Sequence, residues 1–102
     1  MVENLILLPD AEQDVDVGYA WYEQKRPALG RRFLEAVENC LTAIRKSPRA
    51  FSPIRDNFRR AVVRRFPYLV FYEYVEETDT ATVYAVFHCS QDPEKWQSRL
   101  PK

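Results

Sequence analysis

The residues most able to do chemistry stand in one stretch, "FRRAVVRRFPYLVFYEY", at positions 58–74. Its first arm carries two arginine pairs, Arg59 with Arg60 and Arg64 with Arg65. Arginine is always charged, donates five hydrogen bonds and binds phosphate or carboxylate in bidentate fashion. Lysine would serve equally well for solubility, yet seven of the eight bases between positions 45 and 65 are arginine. With the aromatic residues that follow, the pattern indicates a surface for a nucleic acid or an acidic protein partner.

A purely structural role for the four arginines is the simpler interpretation. Edge strands use charged side chains to block aggregation, and exposed salt bridges contribute only about 0–1 kcal/mol. The acids available as partners follow closely in the sequence; they are Glu73, Glu76 and Glu77. Both interpretations stay open on the sequence alone.

The zero net charge hides an uneven distribution. Residues 1–44 hold 8 acids and 4 bases, residues 45–65 hold 1 acid and 8 bases, and residues 66–102 hold 6 acids and 3 bases. The balances are −4, +7 and −3, which sum to zero. The central block therefore predicts a local positive field that attracts phosphates or an acidic protein.

Acid-base and metal chemistry have few candidates. His88 ends the last predicted strand, where it is either a half-buried histidine bonded to a backbone carbonyl or a general acid or base near the arginines. The sequence contains no zinc-ligand spacing, P-loop, dinucleotide fingerprint or nucleophile elbow, so we expect no metal and no cofactor. Cys40 and Cys89 match no redox motif and are expected to be reduced thiols.

These residues must be positioned by a small α+β fold. We expect a single domain over residues 1–102, because the length suits one hydrophobic core. The predicted order is β-α-α-β-β-β with a short C-terminal helix, in which an N-terminal strand and an antiparallel helical hairpin pack with a mostly antiparallel sheet, both helices on one face. Hydrophobic periodicity, prolines and caps give the bounds of the elements. The first strand ends at Pro9, and the helices run from Ala11 to about Lys25 and from Pro27 to Ser47. A loop over 47–57 follows, then strands at about Phe58 to Arg65, Tyr68 to Val75 and Ala81 to Cys89, and a helix capped by Asp92. Asp10 and Gln13 are expected to form a capping box for the first helix.

The alternation of side chains assigns each arginine to a face of the sheet. One face of the first hairpin strand reads Phe58, Arg60, Val62, Arg64 and Phe66, and its bulk predicts that it meets the helices. Arg59 and Arg65 then lie on the open face. A bulge at either arginine pair would reverse this assignment.

Three segments, "AWYEQKRPALGRRFLEAVENCLTAI", "FRRAVVRRFPYLVFYEY" and "VYAVFHCSQDPEKW", with the order of elements, carry a resemblance that covers nearly the whole chain. The sequence resembles the RelE/ParE superfamily of toxins from bacterial type II toxin-antitoxin modules, especially its plasmid-stabilisation-type members. The resemblance implies a small bacterial toxin that a cognate antitoxin neutralises. The apolar run Leu5 to Leu8 is far shorter than the ~20 residues of a spanning helix, so we expect a cytoplasmic protein without a membrane partner.

The resemblance also implies two routes of toxicity, inhibition of DNA gyrase (ParE-like) and ribosome-dependent cleavage of mRNA (RelE-like). By this resemblance, Arg59 or Arg60 corresponds to the family's arginine at the start of the hairpin, and Arg65 corresponds to the basic residue before Phe-Pro-Tyr. Tyr72 corresponds to the family's strand tyrosine, and His88 corresponds to its strand-end histidine. The binding surface it implies comprises Arg59, Arg60, Arg64, Arg65 and Tyr72. A ribonuclease would use Arg59, Arg65 and His88.

Gyrase binding is the favoured expectation, because arginine is a poor base and no convincing acid-base pair accompanies it. The alternatives are the mRNA endoribonuclease and a non-toxic relic that only binds antitoxin. The hypothesis of a non-toxic relic is retained because Gln91 occupies the position before Asp-Pro where members of this subgroup usually have a basic residue. In each case the antitoxin is expected to supply acids and apolar residues that cover the basic block.

Overall fold

The structure is a computed structural model that describes residues 1–101. Over these residues the order is β1 (Asn4–Leu7), α1 (Pro9–Lys25), α2 (Leu29–Lys46), β2 (Ser52–Arg55), β3 (Phe58–Val62), β4 (Tyr68–Val75), β5 (Thr80–His88) and α3 (Pro93–Gln97). The sheet order is β1-β5-β4-β3-β2, with β1 parallel to β5 and the other pairs antiparallel. The predicted α+β fold with a mostly antiparallel sheet is confirmed.

Strand β2 lies inside the segment that the sequence predicted to be loop, so that prediction is wrong over Ser52–Arg55. β2 is an edge strand and pairs only with β3. An edge strand tolerates Pro53, because the amide hydrogen that proline lacks would face away from the ladder. Strand β3 in turn ends at Val62 rather than at Arg65.

The helical hairpin is joined at a tight corner that Glu23 stabilises. Ala28, the N-cap of α2, has a left-handed φ of 72° and no side-chain cap. The Glu23 carboxylate substitutes for the cap, because it accepts hydrogen bonds from the amides of Ala28 (3.1 Å) and Gly30 (3.0 Å). A Cβ at Gly30 would lie 2.8 Å from the Tyr19 carbonyl oxygen, so only glycine allows the helices to approach this closely.

Helix α1 begins at Pro9, two residues earlier than the predicted Ala11. Its N-cap is Leu8, and Pro9 occupies the first helical position, where its missing amide hydrogen costs nothing. The predicted capping box of Asp10 and Gln13 is therefore wrong. The predicted cap of the terminal helix is confirmed, since the Asp92 carboxylate accepts a hydrogen bond from the Glu94 amide (3.0 Å).

Two apolar clusters lie on opposite faces of the sheet. The helix-side cluster is the larger and includes the fully buried Phe33, Ile44 and Tyr72. The opposite cluster is built on Phe71, Ala85 and Phe87, and α3 covers it by stacking Trp96 on Phe71 with ring centroids 4.3 Å apart. Face assignments for the site follow from these two clusters.

An ion pair between Asp14 of α1 and Arg99 fastens the C-terminal segment across the edge of β5. Strand β1 ends at Leu7, paired with Val83, so β5 continues beyond its parallel neighbour. There Asp14 accepts the Val86 amide (3.0 Å) and two guanidinium bonds from Arg99, at 2.6 and 2.9 Å. Arg99 also donates to the Tyr84 carbonyl oxygen (3.3 Å), so the pair substitutes for a strand at this edge.

Candidate functional site

The pairing of β3 with β4 reverses the predicted faces of the hairpin. Arg59 lies opposite Tyr72 and Arg60 lies opposite Phe71. Tyr72 belongs to the helix-side cluster and Phe71 to the other, so Arg59 faces the helices and Arg60 the opposite face. The prediction that the Arg60 and Val62 face meets the helices is wrong.

The reversal has a packing cause. The helix-side layer already holds large aromatic side chains from α1, α2 and β4, which are Tyr22, Phe33, Tyr68 and Tyr72. The small Ala61 and Val63, each 1% exposed, complete this layer, whereas Val62 is 64% exposed. The bulk of one strand face is therefore a poor guide when the facing layer is already full.

Arg59 and Tyr72 fix the segment that precedes β2. The Arg59 guanidinium donates to the Phe51 carbonyl oxygen (2.7 Å), and the Tyr72 hydroxyl donates to the Pro48 carbonyl oxygen (2.6 Å). Burial raises the pKa of Tyr72 to about 12, although the nearby Arg59 acts in the opposite direction. Tyr72 therefore remains a protonated donor at neutral pH and contacts protein on all sides.

Arg64 and Arg65 lie in the turn between β3 and β4, and both side chains are exposed. The Val63 amide closes the turn by donating to the Tyr68 carbonyl oxygen (2.9 Å). Arg65 has a left-handed φ of 73°, which costs a residue other than glycine roughly 1–2 kcal/mol. The turn thus holds an arginine in a conformation for which glycine would be the cheaper residue.

The two turn arginines rim a groove of about 1120 Å³ between α2 and the end of β3. Arg32 of α2 joins them on the rim, and the sequence reasoning did not single it out. The floor is apolar and is formed by Leu29, Ala36, Cys40, Ala43, Phe51 and Phe66, and the exposed Val62 lies at the edge of the groove. Glu35 is the one acid among the lining residues, and its carboxylate lies 3.8 Å from the Arg31 guanidinium.

The four hairpin arginines carry no ion pair within residues 1–101. The ion pairs found there join Arg31 to Glu35, Arg49 to Glu76, Arg55 to Asp56 and Arg99 to Asp14. Glu76, expected as a partner for the hairpin, is thus taken by Arg49. The rim of the groove therefore presents positive charge to solvent rather than to the protein's own acids.

His88 is half-buried on the helix side, with its ring edge-on to Tyr68 (centroids 5.3 Å apart). Its Nδ1 accepts a hydrogen bond from the Ser90 amide (3.0 Å). Since a backbone amide can only donate, the neutral ring carries its proton on Nε2. Nδ1 is thus engaged as an acceptor within the protein, and Nε2 is the donor of the ring.

The sheet does not bring Arg59, Arg65 and His88 together. Arg59 pairs with Tyr72 and His88 pairs with Tyr68, so the two positions are four residues apart along β4, or roughly 13 Å, and two strands apart across the sheet. Arg65, in the β3–β4 turn, lies at the same end of the sheet as His88. An arginine and a histidine are near one end, and Arg59 is near the other.

Neither a metal-binding cluster nor a membrane-spanning helix is found in residues 1–101. No group of three or more His, Cys, Asp or Glu side chains there is arranged to hold a metal ion. No helix in the same range is both long and apolar enough to span a bilayer.

The burial of Cys40 in the groove floor predicts that the two thiols react at different rates. Burial raises the pKa of Cys40 to about 11 from an ordinary value of 9.0, whereas Cys89 is exposed. Two pKa units reduce the thiolate fraction roughly a hundredfold, so Ellman's reagent at pH 8 should label Cys89 at least ~100 times faster than Cys40. The Cys89→Ser variant should retain only the slow phase. Two fast phases of equal size would mean that the Cys40 thiol is exposed rather than buried.

Comparisons with known proteins agree on one group. A family model described as "ParE toxin of type II toxin-antitoxin system, parDE" matches residues 5–93. No curated protein sequence matches significantly.

Similar solved structures show the same fold. One is the chromosomal ParDE toxin-antitoxin system of P. aeruginosa, with a TM-score of 0.63, 14% sequence identity, and coverage of 85% of this chain and 96% of that one. Another is the isolated E. coli RelE toxin, with a TM-score of 0.65, 16% sequence identity and coverage of 93% of each chain. A third is the RelBE2 toxin-antitoxin complex of Mycobacterium tuberculosis, with a TM-score of 0.58, 22% sequence identity, and coverage of 86% of this chain and 92% of that one. At these identities the likeness establishes the fold and leaves the target open.

Proposed function

We propose a function from the premise that this chain belongs to the family of ParE toxins of type II toxin-antitoxin systems, since the family model matches residues 5–93. The proposed function is inhibition of bacterial DNA gyrase by binding, without catalysis by the chain itself. The chain would act in the cytoplasm and be neutralised by a cognate antitoxin. The observation that carries the proposal is an accessible arginine-rimmed groove with no competent general base beside it among residues 1–101.

The case against catalysis rests on the candidate bases. RNA cleavage by attack of a 2′-hydroxyl needs a proton acceptor, a proton donor and a cation for the developing charge. Arg65 suits the last role. His88 Nδ1 is occupied by the Ser90 amide, and Tyr72 is buried with a pKa raised to about 12. Binding a protein target needs none of these groups to move a proton.

The groove fits a protein partner better than it fits phosphate groups alone. Its apolar floor matches apolar side chains, and the rim of Arg32, Arg64 and Arg65 matches carboxylates, so an acidic amphipathic segment fits both features. We assign the same groove to the target and to the antitoxin. The antitoxin then neutralises by covering the groove, as expected of a segment rich in acids and apolar residues. The solved P. aeruginosa and M. tuberculosis relatives are described as toxin-antitoxin systems, which supports a cognate antitoxin.

Ribosome-dependent mRNA cleavage is the second candidate function. It is favoured by the position of Arg65 and His88 at one end of the sheet and by the fold shared with RelE. Under this alternative, binding of mRNA on the ribosome would have to release His88 Nδ1 from Ser90. The two candidates therefore differ in what they require of His88.

Replacing His88 separates the two functions. We expect His88→Ala to leave toxicity within about threefold of the wild type, because a binding toxin does not use its ring as a base. The measurement is colony survival after induction in a bacterial host, with and without the antitoxin gene. His88→Asn is the companion variant, since its side-chain oxygen can still accept the Ser90 amide. A folded His88→Ala chain that loses toxicity about a hundredfold or more, while its mRNA-cleavage products vanish, would establish the ribonuclease instead.

A further inference from the structure

The solvent face of α1 is acidic and apolar at once. Val17 is 62% exposed and Trp21, one turn later, is 52% exposed. Glu12 and Asp16 share the surface around Val17. The Trp21 ring packs edge-on against Tyr22, with ring centroids 5.0 Å apart, and the Lys25 ammonium lies 4.6 Å from its centroid. An aromatic side chain that is already ordered loses little entropy on binding, which suits an anchor.

The groove between α2 and β3 is the complement of this face. Its rim is basic, its floor is apolar, and Val62 contributes the other strongly exposed apolar side chain at its edge. Of the six large hydrophobic side chains exposed within residues 1–101, three lie on α1 and a fourth is Val62. Tyr19 lies on the α2 side of α1, so three of the six, Val17, Trp21 and Val62, lie on two surfaces of opposite charge.

The two surfaces belong to different flanks of the molecule. Helix α1 packs along β5 and helix α2 along β3, so the groove opens on the side of α2 that is away from α1. The solvent face of α1 therefore cannot reach the groove of its own chain. A second copy can supply it.

We propose that α1 of one copy docks into the arginine-rimmed groove of a second copy, head to tail. Trp21 and Val17 would cover the apolar floor, and Asp16, next to Val17 on the same surface, would lie against the arginines of the rim. The minority charges on the two surfaces are also complementary, because α1 carries the basic Lys25 and the groove lining carries the acidic Glu35. Such a contact is heterologous, so each dimer keeps one unused α1 face and one unused groove and can grow further.

Self-docking covers the surface that we assign to the target and the antitoxin. The association itself stands whether or not the chain is toxic, but its consequence rests on the proposed function. A chain produced in excess of its antitoxin would mask its own groove, and antitoxin binding would then compete with self-association.

Sedimentation equilibrium of the intact chain tests the contact. We expect the average mass to rise with concentration between about 1 and 500 µM, the range of a small contact, and to fall when salt screens the charges. Asp16→Arg and Arg65→Glu should each weaken association at least about tenfold. Glu38→Arg, an exposed charge reversal on α2 outside the groove, should leave it unchanged.

Mixing the two variants gives the sharpest result. The Asp16→Arg chain keeps an intact groove and the Arg65→Glu chain keeps an intact α1, and their two reversed charges are complementary to each other, so the mixture should associate although neither variant does so alone. The double variant Asp16→Arg/Arg65→Glu should associate with itself again. Asp16→Arg alone should kill cells at least as well as the wild type, because its groove is intact and a second copy no longer masks it.

Three results would overturn the proposal. They are a monomer at every concentration, a dimer that survives Arg65→Glu, and a mixture of the two variants that stays monomeric. If the chain is monomeric while Arg65→Glu weakens antitoxin capture, the groove serves the antitoxin alone. A chain that kills cells without associating removes the self-docking and leaves the proposed function standing.

Discussion

Removing the two turn arginines should abolish toxicity. In the variant Arg64→Ala/Arg65→Gly, the rim of the groove loses two of its three guanidinium groups. A charge-assisted hydrogen bond contributes about 1.5–3 kcal/mol, so two lost contacts predict binding weaker by a factor of about 100 to 10⁴. The measurement is the number of surviving colonies after induction, together with antitoxin capture by the purified chain.

Glycine is chosen at position 65 to separate function from folding. Because Arg65 has a φ of 73°, glycine adopts this conformation without strain, and the variant should be at least as stable as the wild type. The matched control is Arg26→Ala/Arg31→Ala, which removes the same charge from exposed positions outside the groove lining. If the control lost toxicity equally, the effect would come from net charge and the groove would have no special role.

Replacing Asp14 should produce a large loss of stability. Its carboxylate accepts three hydrogen bonds, one from the Val86 amide and two from Arg99. Breaking a fully buried ion pair costs 3–5 kcal/mol, and these side chains are 13% and 25% exposed, so Asp14→Ala should lower the free energy of unfolding by about 2–3 kcal/mol. Urea unfolding followed by tryptophan fluorescence would measure the loss, since Trp96 stacks on Phe71 in the segment that Arg99 fastens.

Two comparisons make this result specific. Asp16→Ala, on the same helix but exposed, should cost less than about 0.5 kcal/mol. The double variant Asp14→Ala/Arg99→Met should cost less than the sum of the single variants, because either change alone already breaks the pair. An Asp14→Ala chain as stable as Asp16→Ala would mean that the C-terminal segment is held by the Trp96 stack alone.

The sequence predicts the helical hairpin and the β4–β5 pair well because both depend on local signals. The apolar stripe of α2, from Leu29 to Ile44, and the prolines that flank it leave few alternatives. Strand β2 was missed because Pro53 and the following Asp56 are typical of a loop, whereas an edge strand accepts them. Edge strands are decided by their neighbour, which the local sequence does not reveal.

The candidate site was predicted in part. The four arginines were recognised from their type and spacing, but their faces depended on how full the helix-side layer was, and that is a property of distant residues. Arg32 reaches the rim because α2 crosses near the β3–β4 turn, a contact between positions more than thirty residues apart. The commitment of His88 Nδ1 depends on the turn at Ser90, which no periodicity indicates.

Gyrase activity in the presence of the purified chain tests the central proposal most directly. Supercoiling of a relaxed plasmid by gyrase would be followed with the wild-type chain, the Arg64→Ala/Arg65→Gly variant and the Arg26→Ala/Arg31→Ala control. We predict that the wild type and the control inhibit supercoiling, that the groove variant does not, and that added antitoxin restores gyrase activity. Normal supercoiling at every concentration of a chain that kills cells, with cleavage of ribosome-bound mRNA in its place, would contradict the proposed function.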